Sequence, residues 1–168
     1  MKTLSDYLGA DLKVIQPSFF KRVFEMKSGN EIMAIMSHPK FSSRQALVEG
    51  DLTGSWEFYF PKFFSLNVAI RQLGYEIPIA EYHSRFISNK EFIYLPNGQK
   101  LILKSFLLKT KKVIQTEAEE NLVEIIFKHS IKLKADIIIN KKSELLDKYP
   151  WLILLVIYIE NQRRQRKT

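Results

Sequence analysis

The sequence predicts a mainly β fold, a β-barrel of many short antiparallel strands that encloses a hydrophobic C-terminal α-helix. Three observations predict it. From about residue 18 to 140, short stretches of alternating apolar and polar residues recur about every ten residues between turn signals, as in a sandwich or barrel. Behind them stands one uninterrupted apolar run, Trp151 to Ile159. Nine helical residues rise only about 14 Å, against a bilayer core of about 30 Å. Asp147, Lys148 and Pro150 on one side, and Glu160, Asn161 and Arg163 on the other, add no apolar length. The run is therefore too short to span a membrane and belongs in a protein core. A helix apolar on every side cannot lie on the outside of a sheet, because its far side would meet water. It is satisfied when the sheet closes around it.

The elements follow in order. Phe19 to Lys27, FFKRVFEMK, passes through Ser28-Gly29-Asn30 into EIMAIMSH and reads as a first hairpin. RQALVEG is a short strand ending at Gly50, and DLTG turns the chain into SWEFYF. There Trp56, Phe58 and Phe60 alternate with Glu57 and Tyr59, until Pro61 stops the strand or marks an edge. LNVAIRQ puts Leu66, Val68 and Ile70 on one face. After Gly74, LGYEIPIAEYH puts Tyr75, Ile77 and Ile79 on one face, with Pro78 arguing for an edge or a bulge. EFIYLPNGQKLILK is the clearest hairpin, since Asn97-Gly98 supplies the positive φ angles of a type I′ turn. LVEIIFKH and IKLKADIII continue the pattern, with Ile131, Leu133 and Ala135 alternating with Lys132 and Lys134. Apart from a turn near Ser5 to Leu8, helix begins only at Ser143, an N-cap residue with Glu144 and Asp147 in the first turn. Pro150 separates SELLDKY from the main helix, whose first position it suits. That helix covers about 150–164 and the basic tail 163–168. The predicted core contains Trp56, Phe58, Leu66, Val68, Ile70, Ile77, Ile79, Leu101, Leu103, Val123, Ile125, Leu152, Leu155, Val156 and Ile159.

The 168 residues suffice for one domain with a sizeable core, and 46% hydrophobic residues exclude a disordered chain. With no cysteine there is neither a disulfide framework nor a thiolate metal site. The N-terminus carries Asp6 and Asp11 and no sustained apolar stretch, unlike a secretion signal. A cytoplasmic location is the expectation, peripheral at a membrane if the basic surface meets lipid. The net charge is +8, unevenly spread. Residues 1–100 carry 12 basic and 10 acidic side chains, whereas residues 101–168 carry 14 and 8. An excess of this kind suits an anionic partner, membrane headgroups or nucleic acid, or serves solubility.

Several local patterns fall in a telling order: Gly29-Asn30, Gly54-Ser55-Trp56-Glu57-Phe58, Ile70-Arg71, Ile79-Ala80-Glu81-Tyr82, Asn97-Gly98, and the Trp151 to Ile159 run. Together they span nearly the whole chain, and they resemble the tubby C-terminal-like group. That group includes tubby-like proteins, plant LURP-one-related proteins and phospholipid scramblases, and the bacterial and LURP-one-related branch is the most similar. The resemblance implies one domain over residues 1–168, a barrel around a central helix. For tubby-like domains it implies phosphoinositide binding through a basic patch, and for the scramblase relatives action at membranes. No Lys/Arg pair here matches a position of the tubby lipid site, so no residue is carried over from it.

No catalytic motif stands out. His38, His83 and His129 are isolated and form neither HxxxH nor HExxH. There is no Gly-x-Ser-x-Gly elbow. GDLTGS, Gly50 to Ser55, lacks the lysine of a phosphate loop and precedes a strand, so it reads as a hairpin turn. Glu57 and Glu81 are candidates for a carboxylate pair on neighbouring strands, but glutamate on the polar face of a strand is ordinary. Nothing in the sequence calls for a cofactor or a metal. The anion-binding candidates are Lys104, Lys109, Lys111 and Lys112, then Lys132 and Lys134, then Arg163 and Arg164 of the basic end. If strands 99–106 and 122–134 are neighbours, the lysines form one face. Otherwise they protect an edge strand, and the terminal arginines cap a buried helix where it meets water. No recognition helix or stacking platform supports nucleic acid as partner. The expected function is a non-enzymatic module binding anionic membrane lipid, phosphoinositide included. The alternative is a protein–protein interaction or structural domain without a small-molecule ligand, and a hydrolase at the barrel mouth is the third.

Overall fold

The computed structural model describes residues 1–40, 44–84, 90–106 and 110–167. Among them, twelve strands form one closed antiparallel barrel. The strands are β1 (Leu12–Ile15), β2 (Val23–Ser28), β3 (Glu31–Ser37), β4 (Ala46–Glu49), β5 (Trp56–Tyr59) and β6 (Val68–Gln72). The second half comprises β7 (Ala80–His83), β8 (Lys90–Tyr94), β9 (Lys100–Phe106), β10 (Lys111–Gln115), β11 (Asn121–Phe127) and β12 (Lys134–Ile139). Every strand pairs with its sequence neighbours, and β1 closes the ring by pairing with β12, Val14 opposite Ala135. No edge is left open to another chain.

Eight strands already make a barrel whose side chains fill its interior. Twelve leave a wider lumen, and α2 (Leu152–Arg166) occupies it. All residues from Trp151 to Ile159 are buried. Inward-facing strand residues pack around them, among them Phe24, Met26, Phe58, Ile70, Leu101, Leu103, Val123 and Ile125. Aromatic contacts fix the helix against one side of the wall. Trp151 meets Trp56 and Phe58 at 5.8 and 6.3 Å between ring centroids, and Tyr158 meets Phe58 and Phe60 at 5.6 and 5.9 Å.

The end of the barrel where α2 begins is plugged. A helical turn, Leu4–Tyr7, and the short α1 (Glu144–Lys148) pack there, burying Leu4 and Leu146. The buried Ser5 joins them: its N–H donates to Asp147 Oδ1 at 2.7 Å, and its Oγ accepts from the Ser143 N–H at 3.1 Å. Ser143 occupies the N-cap position of α1 without a side-chain cap bond. Close approach is needed at Gly50, where a Cβ would lie 2.6 Å from Ala34 Cα.

The expected fold class is the observed one, with local corrections. The strands begin earlier than residue 18, with β1, and α2 runs two residues beyond Arg164. Ile77 and Ile79 are not core: Ile77 is 78% exposed and Ile79 is also exposed. The stretch from Leu73 to Ile79 is a loop, in which Gly74 takes φ +88° and Pro78 has no N–H to offer a ladder. The strand starts at Ala80, and Ala80 and Tyr82 face inward, the opposite parity to the one expected. Trp56 and Leu66 are only half-buried. In the PNG hairpin, Asn97 and Gly98 have φ +64° and +73° as predicted. The loop holds three residues rather than the two of a type I′ hairpin, and the Leu95 N–H donates to the Gln99 carbonyl at 2.8 Å. Ile131 alternates in phase with Leu133 but precedes β12 and is exposed.

Substituting Leu155→Lys places an unpaired charge in the middle of the lumen. We expect no folded monomer, read by circular dichroism and size-exclusion chromatography, whereas a soluble variant melting like the parent contradicts a buried α2.

Candidate functional site

The chemistry of this chain gathers where α2 leaves the barrel. Alternation along β8 places Glu91 on the inward face with the buried Ile93, and Glu91 is itself buried. A buried carboxylate requires a partner. Tyr82, inward on β7, donates its hydroxyl to Glu91 Oε2, and Arg163 of α2 donates Nη2 to Glu91 Oε1 and, at 2.8 Å, to Tyr82 Oη. Two strands round the wall from β8, Lys112 shares the inward face of β10 with Ile114, opposite Ser105 of β9 and Ile125 of β11. Its side chain is 7% exposed, with Nζ 3.4 Å from Glu160 Oε2. Glu160 also accepts from Arg164 Nε at 3.4 Å. Five side chains, Tyr82, Glu91, Lys112, Glu160 and Arg163, thus tie the last turns of α2 to one arc of the wall, β7 to β10.

The electrostatics follow from this crowding. Burial lowers the Lys112 ammonium, and the Arg163 charge lowers it further. Burial opposes the Arg163 charge as well, but Tyr82 and Glu91 outweigh it and hold the guanidinium above its ordinary value. Burial, then the Glu91 charge, pushes the Tyr82 phenol well up. Tyr158 is also pushed up by burial, and its hydroxyl donates to the Arg44 carbonyl.

Beside this cluster opens a cleft of about 300 Å³ between the β9–β10 rim and the end of α2. Lys111, Lys112, Arg163, Arg164 and Lys167 line it, with Phe106 and Phe127 as apolar walls. Lys111 lies on the outer face of β10, bonded to Glu124 at 3.0 Å and 4.7 Å above the Phe106 ring. Arg164 lies 5.6 Å above the Phe127 ring. The Ser105 and Thr110 side chains are also in the lining; Thr110 Oγ1 donates to the Phe127 carbonyl, and Ser105 Oγ has no partner among the described residues.

Of the predicted anion ligands, the fold brings Lys111, Lys112, Arg163 and Arg164 into one cleft. Lys104 stands next to them on the outer face of β9, 5.2 Å above Phe106. Lys132 and Lys134 are further round the rim and do not line it. Lys109 lies outside the described residues. Strands 99–106 and 122–134 are not neighbours, because β10 lies between them. Nor do Glu57 and Glu81 pair: β6 separates their strands, and they bond instead to Arg71 and His83. Arg163 is no solvent cap, since Glu91 clamps it. The sequence reading missed Glu91 and Tyr82. The signal was the parity of Glu91 with Ile93, which places a carboxylate inside the wall.

Two predictions follow from the cluster. Glu91→Gln removes a carboxylate from Arg163, and breaking a buried pair typically costs about 3–5 kcal/mol. Because Arg163 is about one-third exposed, we expect about 2–3 kcal/mol in urea unfolding, largely recovered in Glu91→Gln/Arg163→Met. A loss below about 0.5 kcal/mol, the level of an ordinary surface change, contradicts the clamp. The raised phenols of Tyr82 and Tyr158 hold their protons more tightly folded than unfolded. The stability they contribute is full below about pH 10 and is lost as pH rises above it. In an ultraviolet titration both should ionise only in a cooperative step with unfolding, and Tyr82→Phe and Tyr158→Phe should each reduce that step. Gradual ionisation of both near pH 10 in an intact fold contradicts it.

No family model matches this sequence, and no curated protein matches it significantly. Among solved structures, the X-ray structure of a protein from Arabidopsis thaliana is similar, with a TM-score of 0.62 at 10% identity. The match covers 97% of this chain and 98% of the other. At that identity the likeness shows a shared fold and nothing finer.

Proposed function

We propose that this chain is a non-enzymatic binding module of the tubby-like kind that engages the headgroup of an anionic membrane lipid, phosphoinositides included. The cleft at the exit of α2 is the binding site, and the module works in the cytoplasm, peripherally at a membrane. One observation carries the reading: five cationic side chains from two β-strand positions and one helix converge on a single open cleft. Glu124, Glu160 and Glu91 already engage Lys111, Lys112 and Arg163. Arg164 and Lys167 are therefore the cations most available to a ligand, since the Arg164 side chain is 35% exposed where that of Lys112 is 7%. A cleft of about 300 Å³ is at the small end of ligand pockets and suits a phosphorylated headgroup. The carboxyl end of a helix repels anions, but Arg163, Arg164 and Arg166 in the last turn offset that field.

The histidines give no support to catalysis. His38 is bonded to the Gln45 carbonyl at 2.9 Å and stacked on Tyr158, and His83 is bonded to Glu81. Among the described residues no group of His, Cys, Asp and Glu is arranged to hold a metal ion. No helix there is long and apolar enough to cross a membrane. A second reading, a protein-interaction module, is favoured by the Leu73 to Ile79 loop at the opposite end, which exposes Tyr75 and Ile77.

The test is cosedimentation with neutral vesicles, phosphatidylserine vesicles and phosphoinositide vesicles, at low and physiological salt. We expect binding to the anionic vesicles alone, weakened by salt. Arg164→Gln/Lys167→Gln should weaken it about 30-fold, at roughly 1 kcal/mol per charge near such a surface. Equal binding to neutral vesicles, or an unchanged affinity in the double variant, contradicts the site. If Ile77→Ser instead abolishes capture by a protein partner while no vesicle is bound, the second reading holds.

A further inference from the structure

Topology assigns the barrel's loops to two ends. The 16–22, 60–67 and 128–133 loops lie at the end where α2 emerges, because they follow β1, β5 and β11 and precede β2, β6 and β12. Contacts confirm this placement. Arg22 Nη2 donates to Gln165 Oε1 at 3.1 Å, Arg44 Nη1 donates to the Phe63 carbonyl at 3.1 Å, and Arg166 stands 5.7 Å above the Phe60 ring. Phe19, Phe20 and Ile131 share a cavity lining with Arg164.

The tips of these loops are apolar and unprotected. Phe20 is 87% exposed, Phe63 82%, Phe64 92% and Ile131 86%. Phe19 and Phe20 meet edge to face at 5.7 Å, Phe63 and Phe64 at 5.0 Å, and none of the four is in the buried core. A loop that only turns the chain is built from polar residues and glycine. Paired phenylalanines held in water on two separate loops, with a third loop offering Ile131, make one discontinuous apolar rim. Arg164, Arg166 and Lys167 stand inside it. Apolar tips around a cationic centre are the complement of an anionic bilayer surface, where rings enter the boundary between headgroups and acyl chains and cations stay with the phosphates.

We infer that the barrel docks end-on to an anionic bilayer. Phe19–Phe20, Phe63–Phe64 and Ile131 enter the membrane interface, and the axis of α2 points at the membrane. This pose rests on the headgroup reading above and adds to it a depth and an orientation. A membrane is favoured over a protein partner because the apolar residues are spread over separate loops around a cationic centre rather than forming one groove.

The native tryptophans make the test specific. Trp151 is the N-cap of α2 and Trp56 begins β5, both toward the far end of the barrel. Phe20→Trp, Phe64→Trp and, as the far-end control, Ile77→Trp are each mixed with phosphatidylserine-containing vesicles whose acyl chains are brominated. The expected result is quenched, blue-shifted emission from Phe20→Trp and Phe64→Trp, with none for Ile77→Trp or the parent. Phe20→Ser/Phe64→Ser should weaken partitioning about tenfold or more, because two rings no longer leave water, while the salt dependence stays. Binding without quenching overturns the end-on pose and leaves the headgroup reading standing. No binding to any vesicle overturns both. A dimer in analytical ultracentrifugation that Phe20→Ser/Phe64→Ser dissolves assigns the rim to a second copy of the chain and overturns the pose.

Discussion

A helix apolar on all sides must be surrounded, and most of this structure follows from that constraint. The Trp151 to Ile159 run has no polar stripe to offer to water. Its burial requires a lumen wider than side chains alone would fill, hence twelve strands rather than eight. Closure removes the two sheet edges that an open meander would expose. It also makes sheet and helix mutually dependent, since neither buries its apolar face without the other.

The same constraint creates the polar chemistry. A helix that enters a lumen must also leave it, and α2 passes from apolar surroundings at Ile159 to charged ones at Arg163 within one turn. Tyr82, Glu91 and Lys112, from one arc of the wall between β7 and β10, receive that transition. The charges tie down the helix end in a place where hydrophobic packing has run out. Those left with exposed faces, Arg164 and Lys167, border the cleft proposed to receive an anion. The binding site proposed here is thus built on the anchoring of the helix, and its rigidity comes from the buried part of the same cluster.

Much of the architecture was legible in the sequence. Segment spacing, the Asn97-Gly98 turn and the length of the final apolar run are local signals, and they led to the barrel and its central helix. Parity was harder. The stretch before Ala80 alternates convincingly through Tyr75, Ile77 and Ile79, yet Pro78 and Gly74 keep it out of the sheet, and the strand that follows faces the other way. The site was legible only as a set of lysines and arginines. Their grouping depends on β10 lying between β9 and β11, a strand absent from the sequence-based assignment. That Lys112 points into the barrel is set by its register with Ser105 and Ile125, which composition does not reveal. Of the exposed phenylalanine pairs, Phe19-Phe20 reads from the sequence as the start of a hairpin strand, and Phe63-Phe64 falls between two strands, after Pro61.

The most direct test of the whole account is amide hydrogen exchange of the full chain, with and without phosphatidylserine vesicles. The amides of Leu155 to Ile159, buried in the lumen, should be protected to the limit of global unfolding. Vesicles should slow exchange in the 16–22, 60–67 and 128–133 loops and leave the Leu73 to Ile79 loop unchanged. Fast exchange along α2, or vesicle protection at the Leu73 end, would contradict the account.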